Sequence, residues 1–128
     1  MSEQVKEISQ WIINGDHDLG TAKITYFHIP EYLDTVTFHC QQAVEKYLKA
    51  YLIFCNVDFG KTHNLEYLLE LCGKQDKTFH TVNVGNLSFY AVEVRYPDDF
   101  YIPTNKEAKE SIKISKVVKT FVIDRINN

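Results

Sequence analysis

Several classes of protein are excluded by what this chain has little of. Basic residues are not in excess: 14 Lys and Arg stand against 17 Asp and Glu, a formal charge of −3. That excludes a protein that coats nucleic acid through bulk basicity and leaves room only for a local basic patch. No stretch is apolar for long enough to span a bilayer, which excludes an integral membrane helix. The opening MSEQVKEISQW is polar and acidic, without the basic and then apolar pattern of a secretory leader. Three cysteines occur, Cys40, Cys55 and Cys72, an odd number with no CxxC pair. They fit reduced thiols in a cytoplasm, not a disulfide framework. Neither they nor the five histidines fall at the spacing of a closed metal site, so no metal and no other cofactor is expected. Repeats, low-complexity tracts and linkers are missing, and the three prolines, Pro30, Pro97 and Pro103, act as punctuation.

What is there describes an ordinary folded chain of 128 residues, 45% hydrophobic, 24% charged and 13% aromatic. It is read as one domain over 1–128, long enough to bury roughly two thirds of its unfolded surface. Val5, Ile8, Ile12, Leu19, Ala22 and Tyr26 recur at helical spacing over 3–27, with Gly15 inside the stripe as a point of close approach for a neighbouring helix. Pro30 breaks that helix. The clearest pattern lies at 32–56, where Val44, Tyr47, Leu48, Tyr51, Leu52 and Cys55 form one apolar face and Ala43, Ala50 and Phe54 widen it. Only the strip Gln42, Glu45, Lys46 and Lys49 is polar, so this helix belongs at the centre of a bundle. A short helix over 64–72, capped by Thr62 and ended by Gly73, comes next. A fourth helix is expected over 77–95, although TVNVGNLSF could pass for a strand, and 95–105 is a loop. The last helix starts at Thr104 or Asn105, with Thr104 and Glu107 at capping-box spacing. Its inner face is Ile114, Val118, Phe121 and Val122; Lys106, Lys109, Lys113 and Lys116 line the other side. The fold class is all-α: an antiparallel up-and-down bundle of about five helices, four long and one short.

Chemistry concentrates in three segments, FHCQQAVEKYLKAYLI (38–53), KTHNLEYLL (61–69) and RYPDDFYIPTNKEA (95–108). Lys46 and Lys49 can supply a phosphate-binding patch, with Gln41 and Gln42 reading polar edges; the plainer alternative is an exposed Glu45–Lys49 pair on a solvated strip. His63 is either structural or the best proton carrier near its end of the molecule. Arg95 either pairs with Asp98 or Asp99 at the end of the fourth helix or holds a phosphate. Asp98 and Asp99 could bind a metal but read more simply as solvated turn residues. The lysine stripe of the last helix is either an RNA-backbone track or a solvated face. His17, His28 and His80 take no role.

In order and spacing, DHDL (16–19), QQAVEKYLKA, KTHNL, RYPD and the EA at 107–108 resemble the HEPN family, the "higher eukaryotes and prokaryotes nucleotide-binding" domains. The resemblance covers nearly the whole chain and implies an up-and-down helical bundle. It also implies nucleotide or RNA binding in a cleft near Arg95, by a homodimer. Many members are metal-independent ribonucleases, and many are toxin halves of toxin–antitoxin pairs with a small nucleotidyltransferase-fold partner. Those ribonucleases carry an Arg followed, a few residues on, by a His. Here YPDDFYIPTNKEA follows Arg95 and contains no His. Tyr101 lies where a family tyrosine or histidine would, and an ordinary tyrosine, with a pKa of about 10, is a poor base at neutral pH. Arg95 and Tyr101 are thus the candidate catalytic pair, and Gln42, Lys46, Lys49, His63, Arg95 and Asp98 the candidate ligand contacts. A reading from another class is a non-catalytic helical module that supports a partner nucleotidyltransferase. Eight Tyr and eight Phe leave surplus aromatics for a dimer or partner surface.

Overall fold

The computed structural model describes residues 2–90 and 101–127, and the chain forms an all-α bundle. Helix α1 spans Glu3–His28, α2 Leu33–Phe54, α3 Leu65–Gln75 and α4 Asn105–Ile126, with 3-10 turns at Lys77–Thr81 and Leu87–Tyr90. No strand occurs among the described residues.

The helix ends follow local side-chain chemistry. The Ser2 hydroxyl caps α1 by accepting the Val5 N–H at 3.1 Å, and α1 ends at His28, two residues before Pro30. Thr104 and Glu107 form the expected capping box on α4. For α3 the expectation is corrected. Asn64 is the cap, accepting the Tyr67 N–H at 3.0 Å, while Thr62 accepts the Asn64 N–H at 3.1 Å one step earlier. Gly73 does not end α3. A Cβ there would lie 2.6 Å from the His80 ring, so this glycine is where the first 3-10 turn packs closely onto the helix.

Helix α2 is the axis of the core. Val36, Cys40, Ala43, Val44, Tyr47, Leu48, Ala50, Tyr51 and Leu52 are all buried, but Phe54 is exposed at the helix end. Helix α1 runs antiparallel to it: Gln4 reaches the Ile53 carbonyl, and Asp18 meets His39. Helix α4 runs parallel to α2 and antiparallel to α1. Ser115 Oγ lies 3.2 Å from the Cys40 carbonyl, and Tyr26 and Lys119 tie α1 to α4 through Asn105 and Asp16. Ala108, Ser111 and Ser115 are buried between α2 and α4. Their small side chains let the two backbones approach, and each serine hydroxyl donates to the carbonyl four residues earlier in its own helix.

The fourth long helix is not formed over 77–90; its expected part at 91–95 lies outside the described residues. Arg125 holds Thr78 at one end of α4 and Glu107 holds Tyr90 at the other. Along α4 that separation is roughly 27 Å, whereas the residues from Thr78 to Tyr90 would cover only about 18 Å as an α-helix. The segment bridges the distance by two 3-10 turns joined through extended backbone at Val82 and a turn in which Asn83 accepts the Gly85 N–H.

Gly15 is the close approach expected of it: a Cβ would lie 2.7 Å from Cε1 of Tyr47, whose buried ring is anchored by its hydroxyl on Asp16 at 2.6 Å. Gly15→Ala should therefore destabilise the fold by about 1–3 kcal/mol in urea unfolding. Gly20→Ala, with nothing within 4 Å of the added carbon, should stabilise it by about 0.5–1 kcal/mol.

Candidate functional site

The polar strip of α2 is not a solvated face. Glu45 is buried with only 3% exposure and collects three donors: Lys49 Nζ at 3.1 Å, Gln41 Nε2 at 3.3 Å and His63 Nδ1 at 3.0 Å. Lys49 is equally enclosed, its ammonium 5.4 Å from the ring centres of both Trp11 and Phe59. The Glu45–Lys49 pair exists, but inside the bundle, so Lys49 does not stand on an open phosphate-binding patch. Gln42 lies half-buried and donates to Gln41 at 2.7 Å; Gln41 Nε2 also approaches the His63 carbonyl at 3.4 Å.

A second set lies alongside. Asp18 on α1 takes His39 Nδ1 at 2.8 Å and a short hydrogen bond from Lys46. Burial pushes the Asp18 carboxyl up, but the hydrogen bonds and charges of His39 and Lys46 outweigh it, and the group sits below the usual carboxylate range. Each set is therefore one carboxylate holding one imidazole and one ammonium. They differ in exposure. His39 is mostly covered, with 28% of its side chain exposed, while His63 keeps 73%. With Nδ1 of His63 bound to a carboxylate, the proton belongs on Nδ1 and the opposite edge, with Nε2, faces solvent.

The start of α4 is organised by Glu107. Its carboxylate accepts the Thr104 N–H at 2.9 Å and the Tyr101 hydroxyl at 2.7 Å through one oxygen, and the Tyr90 hydroxyl at 3.1 Å through the other. The Thr104 N–H and the tyrosines hold this carboxyl low, and Glu107 in turn pushes the Tyr101 phenol up. Tyr101 is thus a donor committed to Glu107. A cleft of about 520 Å³ opens here between the second 3-10 turn and α4, beside Tyr90, Lys106 and Glu107.

Arg95, Asp98 and Asp99 lie outside the described residues. The described residues on either side of their segment, Tyr90 and Tyr101, both donate to Glu107, at 3.1 and 2.7 Å. Ser88, just before, donates to Glu66 on α3 at 2.5 Å. Among the sequence candidates, Gln42, Lys46, Lys49 and His63 converge on α2, and Tyr101 stands apart at the head of α4. Sequence reasoning assigns Glu45 only a surface pairing and gives Asp18 no role beyond its place in DHDL. The signal for Glu45 is the Gln41–Glu45–Lys49 spacing of four on an otherwise apolar helix. Asp18 carries none until α1 is laid against α2.

Other chemistry is muted. The three cysteines are free; burial pushes the Cys40 thiol up to about 12 and raises those of Cys55 and Cys72. Among the described residues no cluster of three or more His, Cys, Asp or Glu is placed to hold a metal ion, and no helix is long and apolar enough to cross a membrane. Lys106, Lys109, Lys113 and Lys116 are exposed along α4, with Glu110 among them. A groove of about 540 Å³ between α1 and the ends of α2 and α4 is walled by residues such as Ile8, Ile12 and Ile123 and contains no ionisable side chain.

An all-α bundle of this order, whose central helix carries a paired acid–base strip, defines a helical-bundle class. Within it the assignment is specific: the family model for the HEPN domain matches residues 8–126. The chain belongs to the HEPN domain family. No curated protein and no solved structure matches it.

Glu45→Ala strands a buried ammonium and should cost about 3–5 kcal/mol, whereas the double change of Glu45 and Lys49 to apolar residues of similar volume should cost far less; chemical denaturation separates the two. The Asp18 carboxyl, lowered on folding, stabilises the fold above its unfolded value, and that stability is lost as pH falls through the folded value. Asp18→Asn should thus be less stable than wild type at neutral pH, with the gap closing on acidification below about pH 5. Asp76 and Glu107, also held low, supply the acid sensitivity that persists in the variant.

Proposed function

We propose that this HEPN-domain chain binds nucleotide or RNA phosphates in a cleft near Arg95. Arg95 is the phosphate-binding cation. Gln42, Lys46, His63 and Asp98 supply the polar surroundings, and Lys49 acts from inside as the counter-charge of Glu45. The protein works as a cytoplasmic homodimer and as the metal-independent ribonuclease of a toxin–antitoxin pair with a nucleotidyltransferase-fold partner.

The observation that supports this reading is the strip on α2. A buried ion pair contributes little that apolar residues of the same volume would not. Two carboxylates, Asp18 on α1 and Glu45 on α2, each holding an imidazole and an ammonium, are more than a core needs and suit a site that handles charge and protons. The three free thiols fit a reducing compartment.

One observation favours the module that supports a partner without catalysis. Tyr101 is held as a donor with a raised pKa, which removes it as a base, and 101–108 contains no histidine. Exposed Phe27, Tyr32 and Phe89 would then belong to the partner surface.

Binding of labelled mixed-sequence RNA by fluorescence anisotropy distinguishes the readings. Arg95→Ala should raise Kd by about tenfold, near 1.4 kcal/mol. With one cation fewer on the phosphates, the log–log slope of affinity against salt should flatten by about 0.7. Cleavage by wild type should persist in EDTA. RNA affinity that is undetectable, or unchanged by Arg95→Ala, would leave the partner-supporting module.

A further inference from the structure

We infer that the outer face of α1, centred on Gly20, is a self-docking surface whose occupant is α1 of a second copy, laid antiparallel. The inference rests on the homodimer in the reading above and names the face that forms it. It does not depend on RNA.

Helix α1 carries two apolar faces. One, with Leu19 and Ala22, is buried in the core. The other is open. Ile13, Gly20 and Phe27 recur at intervals of seven and so stand in one line along the helix, with Ile24 beside it. Phe27 is 80% exposed, Ile24 63% and Ile13 46%. Single apolar side chains on a surface need no explanation, but a line of them along one helix marks a contact. Gly20, in the middle of the line, has no role inside the fold. Glycine weakens a helix interior, and a Cβ here would meet nothing within 4 Å. Its missing side chain serves something that arrives from outside. A second helix crossing at this point brings its backbone in close.

Charge selects a second copy as that helix. A two-fold axis at Gly20, perpendicular to α1, makes an isologous contact. It sets Ile13 opposite the partner's Phe27. Asp16 and Lys23 lie seven residues apart on one edge of the line, on either side of Gly20. The axis therefore brings Asp16 level with the partner's Lys23, and the pair is made twice. Asp16 has capacity for it: the Tyr47 hydroxyl at 2.6 Å and the Lys119 ammonium at 2.9 Å both come to Oδ1, and the carboxyl stays 40% exposed. Lys23 is exposed, with no ion pair among the described residues. A parallel pair would instead set Asp16 against Asp16 and Lys23 against Lys23. Ile13 also lines the uncharged groove between α1 and the ends of α2 and α4, so the partner's Phe27 arrives at its mouth. From Ile13 to Phe27 the contact covers about 21 Å of helix. That is a small interface, suited to weak and reversible pairing.

The test follows the mass of the full-length protein, without RNA, by sedimentation velocity from about 1 µM to about 100 µM. Wild type should pass from monomer to dimer, with a Kd that rises with salt as the Asp16–Lys23 pairs are screened. Gly20→Leu puts bulk at the crossing and should raise Kd by at least about tenfold. The melting temperature of the dilute variant should hold or rise, because leucine is the better helix former and meets no neighbour. Lys23→Glu brings two carboxylates level and should raise Kd by about tenfold. Lys77→Glu, the same change on an exposed residue of the first 3-10 turn, should leave Kd unaltered. In a Cys55→Ser background, Gly20→Cys should close a disulfide between copies under mild oxidation, and Thr21→Cys should not. A dimer indifferent to Gly20→Leu, or weakened equally by Lys77→Glu and Lys23→Glu, overturns the inference and leaves the homodimer to another face. A chain that stays monomeric throughout removes the inference and the homodimer together, while RNA binding is decided by its own anisotropy.

Discussion

Enclosing Glu45 and Lys49 costs on the order of several kcal/mol per ion in lost hydration, and only mutual contact with fully satisfied hydrogen bonds offsets that. The arrangement around α2 meets this demand. Lys49 faces Glu45 and lies between the Trp11 and Phe59 rings, Gln41 donates into the same carboxylate, and no buried side-chain nitrogen or oxygen among the described residues is left without a partner. The loop carrying Phe59 and His63 is thereby tied to the middle of α2, and α3 starts where that tie leaves it. A pair that looks like a stability device is better understood as a positional one, because it fixes where a loop histidine stands.

The same helix faces two kinds of neighbour. Toward α4 it meets small side chains, and the Ser115 hydroxyl lies against the Cys40 carbonyl. Toward α1 it meets Gly15 across the Tyr47 ring and Asp18 across the His39–Lys46 pair. Charged chemistry on α2 thus lies toward α1 and the loop before α3, while among the described residues the hydrogen bond toward α4 is that of the Ser115 hydroxyl. The separate Glu107 cluster at the head of α4 holds Tyr90 and Tyr101, which bracket the segment containing Arg95.

Much of the fold is legible in the sequence because it is written in period and punctuation. The apolar stripes of α1, α2 and α4, the break at Pro30, the Thr104–Glu107 box and the close approach at Gly15 each depend on residues near in sequence. The stretch 77–90 misleads because Phe79, Val82, Leu87 and Tyr90 keep a helix-like spacing, while the distance to be bridged is set by Arg125 and Glu107, far along the chain. Thr62 and Gly73 mislead for a related reason. Asn64 is the better-placed cap by two residues, and the glycine answers to the His80 ring, not to a helix end. At the site, the residue types on α2 are visible in the sequence but their burial is not. An i, i+4 acid–base pair reads as surface until the loop at 56–64 folds over it. Arg95 and Asp98 lie outside the described residues, and their roles rest on the proposal.

The parallel course of α2 and α4 has a consequence for how the chain reaches this state. Helices α1 and α2 are joined by a tight turn at 29–32 and form a hairpin of local contacts. The Ser115–Cys40 contact, by contrast, closes a loop of 75 residues, and the Tyr26–Asn105 contact one of 79. Loop closure of that length is entropically slow to repay. The hairpin is therefore the natural nucleus, and the docking of α4 is the late, cooperative event that seals the side of α2 left open. Until it docks, the side of α2 around Cys40 that meets Ser115 is bare to water, and an incomplete chain ending before α4 leaves it as a sticky seam. Quality control in the cell would meet that seam first.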